Sequence, residues 1–221
     1  MSQRYNLTPM RPASLGRSRS GVSAMFEYPT FHAEIIRNVA VDSMRWPAKS
    51  ERGEDAALGG NRQFADLYRL AWREAAEILD AESTLIERIE KSSDPEQEYD
   101  AIEDELDDTD ALLGLDIGVA SVVAALSAAR CIPFTSCNAG TFGGHHAESY
   151  PLVGFFARPQ QVELLLRLAT ETRTGLENSD GGCLVAYANH VRNLRAFAAA
   201  LIRERKAFDA VRVAPRPNRA R

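Results

Sequence analysis

Apolar residues recur at three- and four-residue steps between Gln63 and Lys91: Phe64, Leu67, Ala71, Ala75, Ile78, Leu79, Leu85, Ile86 and Ile89. That spacing predicts one long helix burying a single stripe. Ser92-Ser93-Asp94-Pro95 stops it and starts the next. From Asp94 to Asp110 ten residues are acids, at 94, 96, 98, 100, 103, 104, 105, 107, 108 and 110. A run of acids can bind a divalent cation through oxygens. This one lacks the glycine and the ligand spacing of a calcium loop, so it reads as a solvated helical face.

The pattern changes at Leu112-Leu113-Gly114-Leu115. Asp116 to Arg130 is apolar nearly all round, which predicts a helix covered on most sides. Gly118, Ala120, Ala124 and Ala125 would let it lie close to a sheet, and Asp116 is placed to cap it. Cys131 to Ser136 reads as a strand whose Pro133 implies an edge or a bulge. Leu152 to Ala157 is continuously apolar, as a central strand is. Arg158-Pro159 opens a helix with Val162, Leu165, Leu166 and Ala169 inward. Thr174–Ser179 and Cys183–Ala188 flank Asp180-Gly181-Gly182, a hairpin turn. Asn189 would cap a last helix whose His190, Leu194, Phe197 and Leu201 share a face. Helix, strand, strand, helix, strand, strand, helix predicts an α+β fold: a small, mainly antiparallel sheet layered with helices, preceded by a helical N-terminal segment.

Composition and charge divide the chain further. The 221 residues carry a net charge of -5, yet Met1 to Phe26 contains no acid and has Arg4, Arg11, Arg17 and Arg19. Arg212, Arg216, Arg219 and Arg221 make the other end basic too. The expected organisation is a disordered basic arm over 1–25, a helical segment with its acidic stretch over 26–110, an α+β domain over 111–207 and a basic tail over 208–221. The basic ends admit nucleic acid as a partner, although only Tyr5 interleaves with the first arginines. No apolar run approaches the roughly 20 residues that span a bilayer, so a soluble protein without a membrane partner is expected. Cysteines at 131, 137 and 183 make an odd count, which fits free thiols in a reducing, cytoplasmic setting.

The chemistry concentrates between the two apolar strands. Thr135 to Pro151 holds Cys137, His145, His146, Glu148 and the glycines 140, 143 and 144. A long connection dense in reactive side chains is where function tends to sit. Cys137 enters Asn138-Ala139-Gly140, a tight-turn sequence whose amides could lower a thiol pKa. His145 and His146 are adjacent, so in extended chain only one would face the site. Glu148 could orient an imidazole, take a proton or bind a metal. His190, at the start of the last helix, would stay neutral beside the helix amides and could act as base or ligand. Two chemistries fit. In one, Cys137, His145 or His146, and Glu148 or His190 hold zinc, the candidate cofactor, with an open position for water. In the other, Cys137 is a nucleophile with a histidine base, and Asn138, Gly140, Gly143 and Gly144 offer amides to an oxyanion or phosphate.

Leu113-Gly-Leu-Asp-Ile-Gly followed by Ser136-Cys-Asn-Ala-Gly-Thr-Phe-Gly-Gly-His-His-Ala-Glu-Ser-Tyr-Pro resembles a group of uncharacterised bacterial proteins over 112–157. Ser136-Cys137, after an apolar helix and strand, is also similar to the Ser-Ser-Cys-Ser-Gly-Arg loop of tRNA wybutosine-synthesis methyltransferases. Thr135 replaces their first serine and Asn138-Ala139-Gly140 the rest, so their arginine is missing. That second resemblance implies methyl transfer from S-adenosylmethionine to a tRNA base. The expected function is a small enzyme performing thiol- or metal-assisted chemistry on a polar or phosphorylated small molecule. A nucleotide- or RNA-binding module and a non-catalytic interaction protein are the alternatives.

Overall fold

The computed structural model describes residues 26–48, 67, 70–109, 111–143 and 148–213. The basic arm over 1–25, the loop residues Gly144, His145, His146 and Ala147, and the chain end from 214 lie outside the described residues.

The long apolar stripe becomes α1 (Trp72–Lys91), with Ala75, Ile78, Ile86 and Ile89 buried. It starts later than the periodicity suggests. Leu67 sits in a short turn, and the Glu74 carboxylate accepts from the Ala71 N–H at 2.7 Å to open the helix. The acidic stretch forms α2 (Pro95–Asp107), where Asp94 accepts from the Gln97 N–H at 3.1 Å and Pro95 occupies the first turn. Arg88 of α1 clamps Glu105 through two nitrogens, at 2.7 and 3.0 Å, and reaches Glu98 as well. Glu96, Asp100, Glu103, Asp104 and Asp107 are exposed, as a solvated face requires.

Every residue of α3 (Ala120–Ala128) is buried. The helix is wedged against α1 and the last long helix, and its small side chains permit the close approach. The sheet has strands β1 (Arg37–Asn38), β2 (Ile132–Cys137), β3 (Leu152–Phe156), β4 (Gly175–Ser179) and β5 (Cys183–Tyr187), in the order β1-β4-β5-β3-β2. All neighbours are antiparallel except β1 and β4. β2 lies at the edge and its register slips between Pro133 and Thr135, so the proline marks both an edge and a bulge. β3 is buried throughout. Asp180–Gly182 turns β4 into β5, with Gly181 at φ 76. Two helices follow their strands, α4 (Val162–Glu171) and α5 (Val191–Arg203). In α4 it is Leu168, fully buried, that takes the inward place expected of Leu166.

Three expectations change. One cluster of buried side chains runs from Leu67 and Ala75 through Phe208, so 26–110 and 111–207 share a core. α6 (Arg205–Val213) carries that core into the region expected to be tail, its Phe208 lying against Trp72. Asp116 does not cap α3: the cap position is Val119, and the carboxylate that serves this helix end is that of Glu82 on α1. No described helix is long and apolar enough to cross a membrane.

Candidate functional site

Cys137, Leu152, Tyr187 and Gly175 face one another across β2, β3, β5 and β4, forming a row at one end of the sheet. The loop leaves the sheet at Cys137. Asn138, fully buried, pins it: its Nδ2 donates to the Ile117 carbonyl at 2.9 Å and its Oδ1 accepts from the Gly140 N–H at 2.9 Å. Ala139 and Gly140 both take positive φ, 56 and 69, which makes the tight turn. Thr141 closes it by donating its hydroxyl to the Asn138 carbonyl at 2.6 Å. The turn therefore rests on the residues just before α3. Gly118, at φ 97, lies where a Cβ would come within 3.1 Å of Val191 and 3.3 Å of Phe142. The loop and the starts of α3 and α5 meet at this point.

The Cys137 sulfur accepts the Ala139 N–H at 3.3 Å and the Glu148 N–H. Those two ends of the loop are thus brought together. Burial is nevertheless the largest influence on the thiol, and Asp116 and Glu148 add negative charge, so its pKa is raised. The expectation of a pKa lowered by turn amides is corrected on this point. The amides themselves are also engaged: Gly140 N–H bonds Asn138, Gly143 N–H bonds the Gly140 carbonyl at 3.2 Å, and Ala139 N–H bonds sulfur. Donors consumed by the turn cannot serve an oxyanion or phosphate. Asn138, Gly140 and Gly143 hold the loop's shape instead. Gly144, His145 and His146 lie outside the described residues. Among the described residues no group of three or more His, Cys, Asp or Glu side chains is gathered as a metal cage. Cys131 and Cys183 are buried in the fold, as structural cysteines are.

His190 is the cap of α5 rather than a residue of its inward face. Its Nδ1 accepts from the Arg192 N–H at 3.0 Å. Asn189, expected as the cap, is instead joined to Ala33 by two hydrogen bonds of 2.7 and 3.0 Å. Burial, with Arg192, lowers the His190 pKa, so the ring stays neutral. With Nδ1 accepting, the proton sits on Nε2. This fixes His190 as a hydrogen-bond donor and removes the base and Nε2-ligand roles that a free neutral ring would have. Among the described residues Tyr28 links it to the loop, its ring lying 4.4 Å from His190 and 6.0 Å from Phe142 between centroids.

Sequence reading missed the group that surrounds His190. The Tyr28 hydroxyl donates to Glu90, Arg192 pairs with Glu90 at 2.7 Å, and the Arg192 guanidinium lies 4.3 Å over the Tyr28 ring. Partial burial opposes ionisation of Glu90, but Tyr28 and Arg192 outweigh it and lower its pKa. Burial and then Glu90 push the Tyr28 hydroxyl up to about 12. Tyr28, Glu90 and Arg192 are too far apart in the chain for any motif to join them. Glu82 was also missed, though it carried a signal: it sits four residues from both Ile78 and Ile86, inside the apolar stripe. It is fully buried and accepts the Gly118 N–H at 2.9 Å, the Ser121 N–H at 3.4 Å and the Ser121 hydroxyl. The groove of about 480 Å³ between α1 and the end of α2, lined by Leu85, Glu105, Leu106 and Asp108, contains none of the candidate residues. No protein-family model, curated protein or solved structure matches the chain, and the reading of the site rests on its geometry.

Proposed function

We propose that the chain is a small enzyme in which Cys137 is a metal ligand, with zinc the leading ion, acting on a polar or phosphorylated small molecule. The observation that carries this reading is the surroundings of the Cys137 sulfur. Two backbone N–H groups point at it, the arrangement that steadies charge on a ligating sulfur. Burial and the carboxylates of Asp116 and Glu148 oppose the bare thiolate. A cation reconciles the two, because a coordinating thiol is deprotonated outright. Among the described residues, the amides of Ala139, Gly140 and Gly143, which an oxyanion at a thiolate nucleophile would use, are taken up by the turn.

Further ligands are within chain reach. His146 precedes Glu148 by two residues, so their Cα atoms are at most about 7.6 Å apart. One of His145 and His146, with Glu148, would complete the set, leaving a position for water or substrate. The metal would polarise a bound oxygen and lower the pKa of a bound water.

Cobalt substitution tests the assignment. Adding Co²⁺ to chelator-treated protein is expected to produce a sulfur-to-cobalt charge-transfer band that Cys137→Ser abolishes and Cys183→Ser retains. A cobalt spectrum without that band, or the same band in Cys137→Ser, would remove the proposal.

A further inference from the structure

We propose that residues 26–36 form a strap closed over His190 and Phe142, held at its upstream end by a latch of Tyr28, Glu90 and Arg192. The inference concerns access to this end of the sheet and does not depend on a metal at Cys137.

The strap has no helix or strand between Phe26 and Ile36. Phe26, Tyr28, Phe31, Ala33 and Ile35 are half-buried, whereas Glu27, Pro29, Thr30, His32, Glu34 and Ile36 are exposed. It is extended chain laid on the molecule, pinned unevenly. The downstream half is well fixed: Phe31 N–H bonds the Asn189 carbonyl at 3.3 Å, and the Asn189 side chain takes both polar groups of Ala33. The Tyr187 hydroxyl accepts from Ile36 at 3.0 Å and donates to the Glu34 carbonyl at 2.9 Å. β1 then joins the sheet.

The upstream half, residues 26–30, makes one hydrogen bond among the described residues, from Tyr28 to Glu90. Phe26 also stacks on Phe142 at 5.6 Å, and the Tyr28 ring lies against Phe142, His190 and the Arg192 guanidinium. Segments with so few backbone bonds open at low free energy, ahead of the core. The latch is itself solvated on one side, since the Arg192 side chain is 54% exposed. Lifting residues 26–30 about the Phe31–Ala33 anchors would uncover the His190 ring, one face of Phe142 and the Arg192 guanidinium together. The latch therefore controls exposure of the His190 ring and of Phe142 on this side of the loop.

Glu90→Gln keeps the shape of the latch residue and removes its charge, and Arg192→Gln breaks the same latch from the other side. Two readouts report opening: the ring-current shift that Tyr28 imposes on the His190 proton resonances, and chymotryptic cleavage after Phe26. Both variants are expected to lose most of the shift and to be cut about tenfold faster, the change in open population that loss of a charge-assisted hydrogen bond gives. Cleavage within about twofold of the parent rate, with the ring-current shift intact, would overturn the latch. So would faster amide exchange along α5 in step with the cleavage, because the whole helix end would then be loosening rather than the strap.

Discussion

Two helix starts meet beneath the loop, and they are stabilised in opposite ways. The start of α3 is sealed: the carboxylate of Glu82, delivered from another helix, accepts its amides in a site with no solvent exposure. The start of α5 is more open: its own neighbour His190 caps it, and half-buried Tyr28 and Glu90 with exposed Arg192 surround the cap. Burial makes a carboxylate hard to ionise and an imidazole hard to protonate, so the two groups shift in opposite directions. A buried cap is a structural fixture, whereas a half-exposed cap can be uncovered.

Removing Glu82 should have the largest effect. Glu82→Ala leaves the Gly118 and Ser121 donors unpaired in the core, and a loss of about 3 kcal/mol or more in urea unfolding is expected. Glu82→Gln keeps an acceptor in place and should cost about 1 kcal/mol or less. Equal costs for the two variants would contradict a role in satisfying these donors. The pH dependence adds a sign. Because its folded pKa is raised, the Glu82 contribution is complete below the unfolded carboxyl value of about 4.3 and fades as pH rises through the folded value. Glu82→Gln should remove that decline.

Asn138→Ala comes next, with an expected cost of about 2 kcal/mol, since the Ile117 carbonyl and Gly140 N–H lose their partner. Intact stability in that variant would mean the loop is not pinned to α3. At the open end, His190→Ala should cost only about 1 kcal/mol, the usual worth of a helix cap. Its pH signature is the reverse of Glu82's. With a lowered folded pKa, the His190 contribution is present above the unfolded value of about 6.5 and is lost as pH falls toward the folded value. Comparing urea midpoints of parent and His190→Ala across that interval should show the gap closing on acidification. A gap that widens would mean the ring is protonated in the folded state. The smallest effect belongs to Arg203. It makes a bidentate pair with Glu171 at 2.7 Å for both bonds, but on the solvent-exposed surface, and Arg203→Ala should leave the unfolding midpoint nearly unmoved. A clear destabilisation there would show that geometry, rather than burial, governs the contrast between the two helix starts.

Much of the fold was legible because periodicity reports burial directly. The stripe of α1, the all-apolar α3, the buried β3 and the Asp180-Gly181-Gly182 turn all declare themselves over short stretches of chain. β1 did not, because a two-residue parallel strand has no period, and its partner β4 comes more than 130 residues later. The caps were misassigned by one residue or to the wrong element for a related reason. Asp116 and Asn189 have suitable side chains in suitable places, but tertiary partners took over: Glu82 at one helix, and Ala33 for Asn189 at the other. Within the loop, residue types pointed to the thiol and the carboxylate. They could not show that the Gly140 and Gly143 amides would be consumed within the turn, because that depends on the turn closing. The latch around His190 joins residues 28, 90 and 192, and only the folded chain places them side by side.

The central claim is that the Cys137 sulfur belongs to a metal centre. Zinc content of the purified protein, measured beside Cys137→Ser and with Cys183→Ser as control, tests it most directly. Close to one zinc per chain is expected in the parent and in Cys183→Ser, and little in Cys137→Ser. Zinc absent from the parent even after incubation with the ion, or equal content in all three proteins, would contradict it.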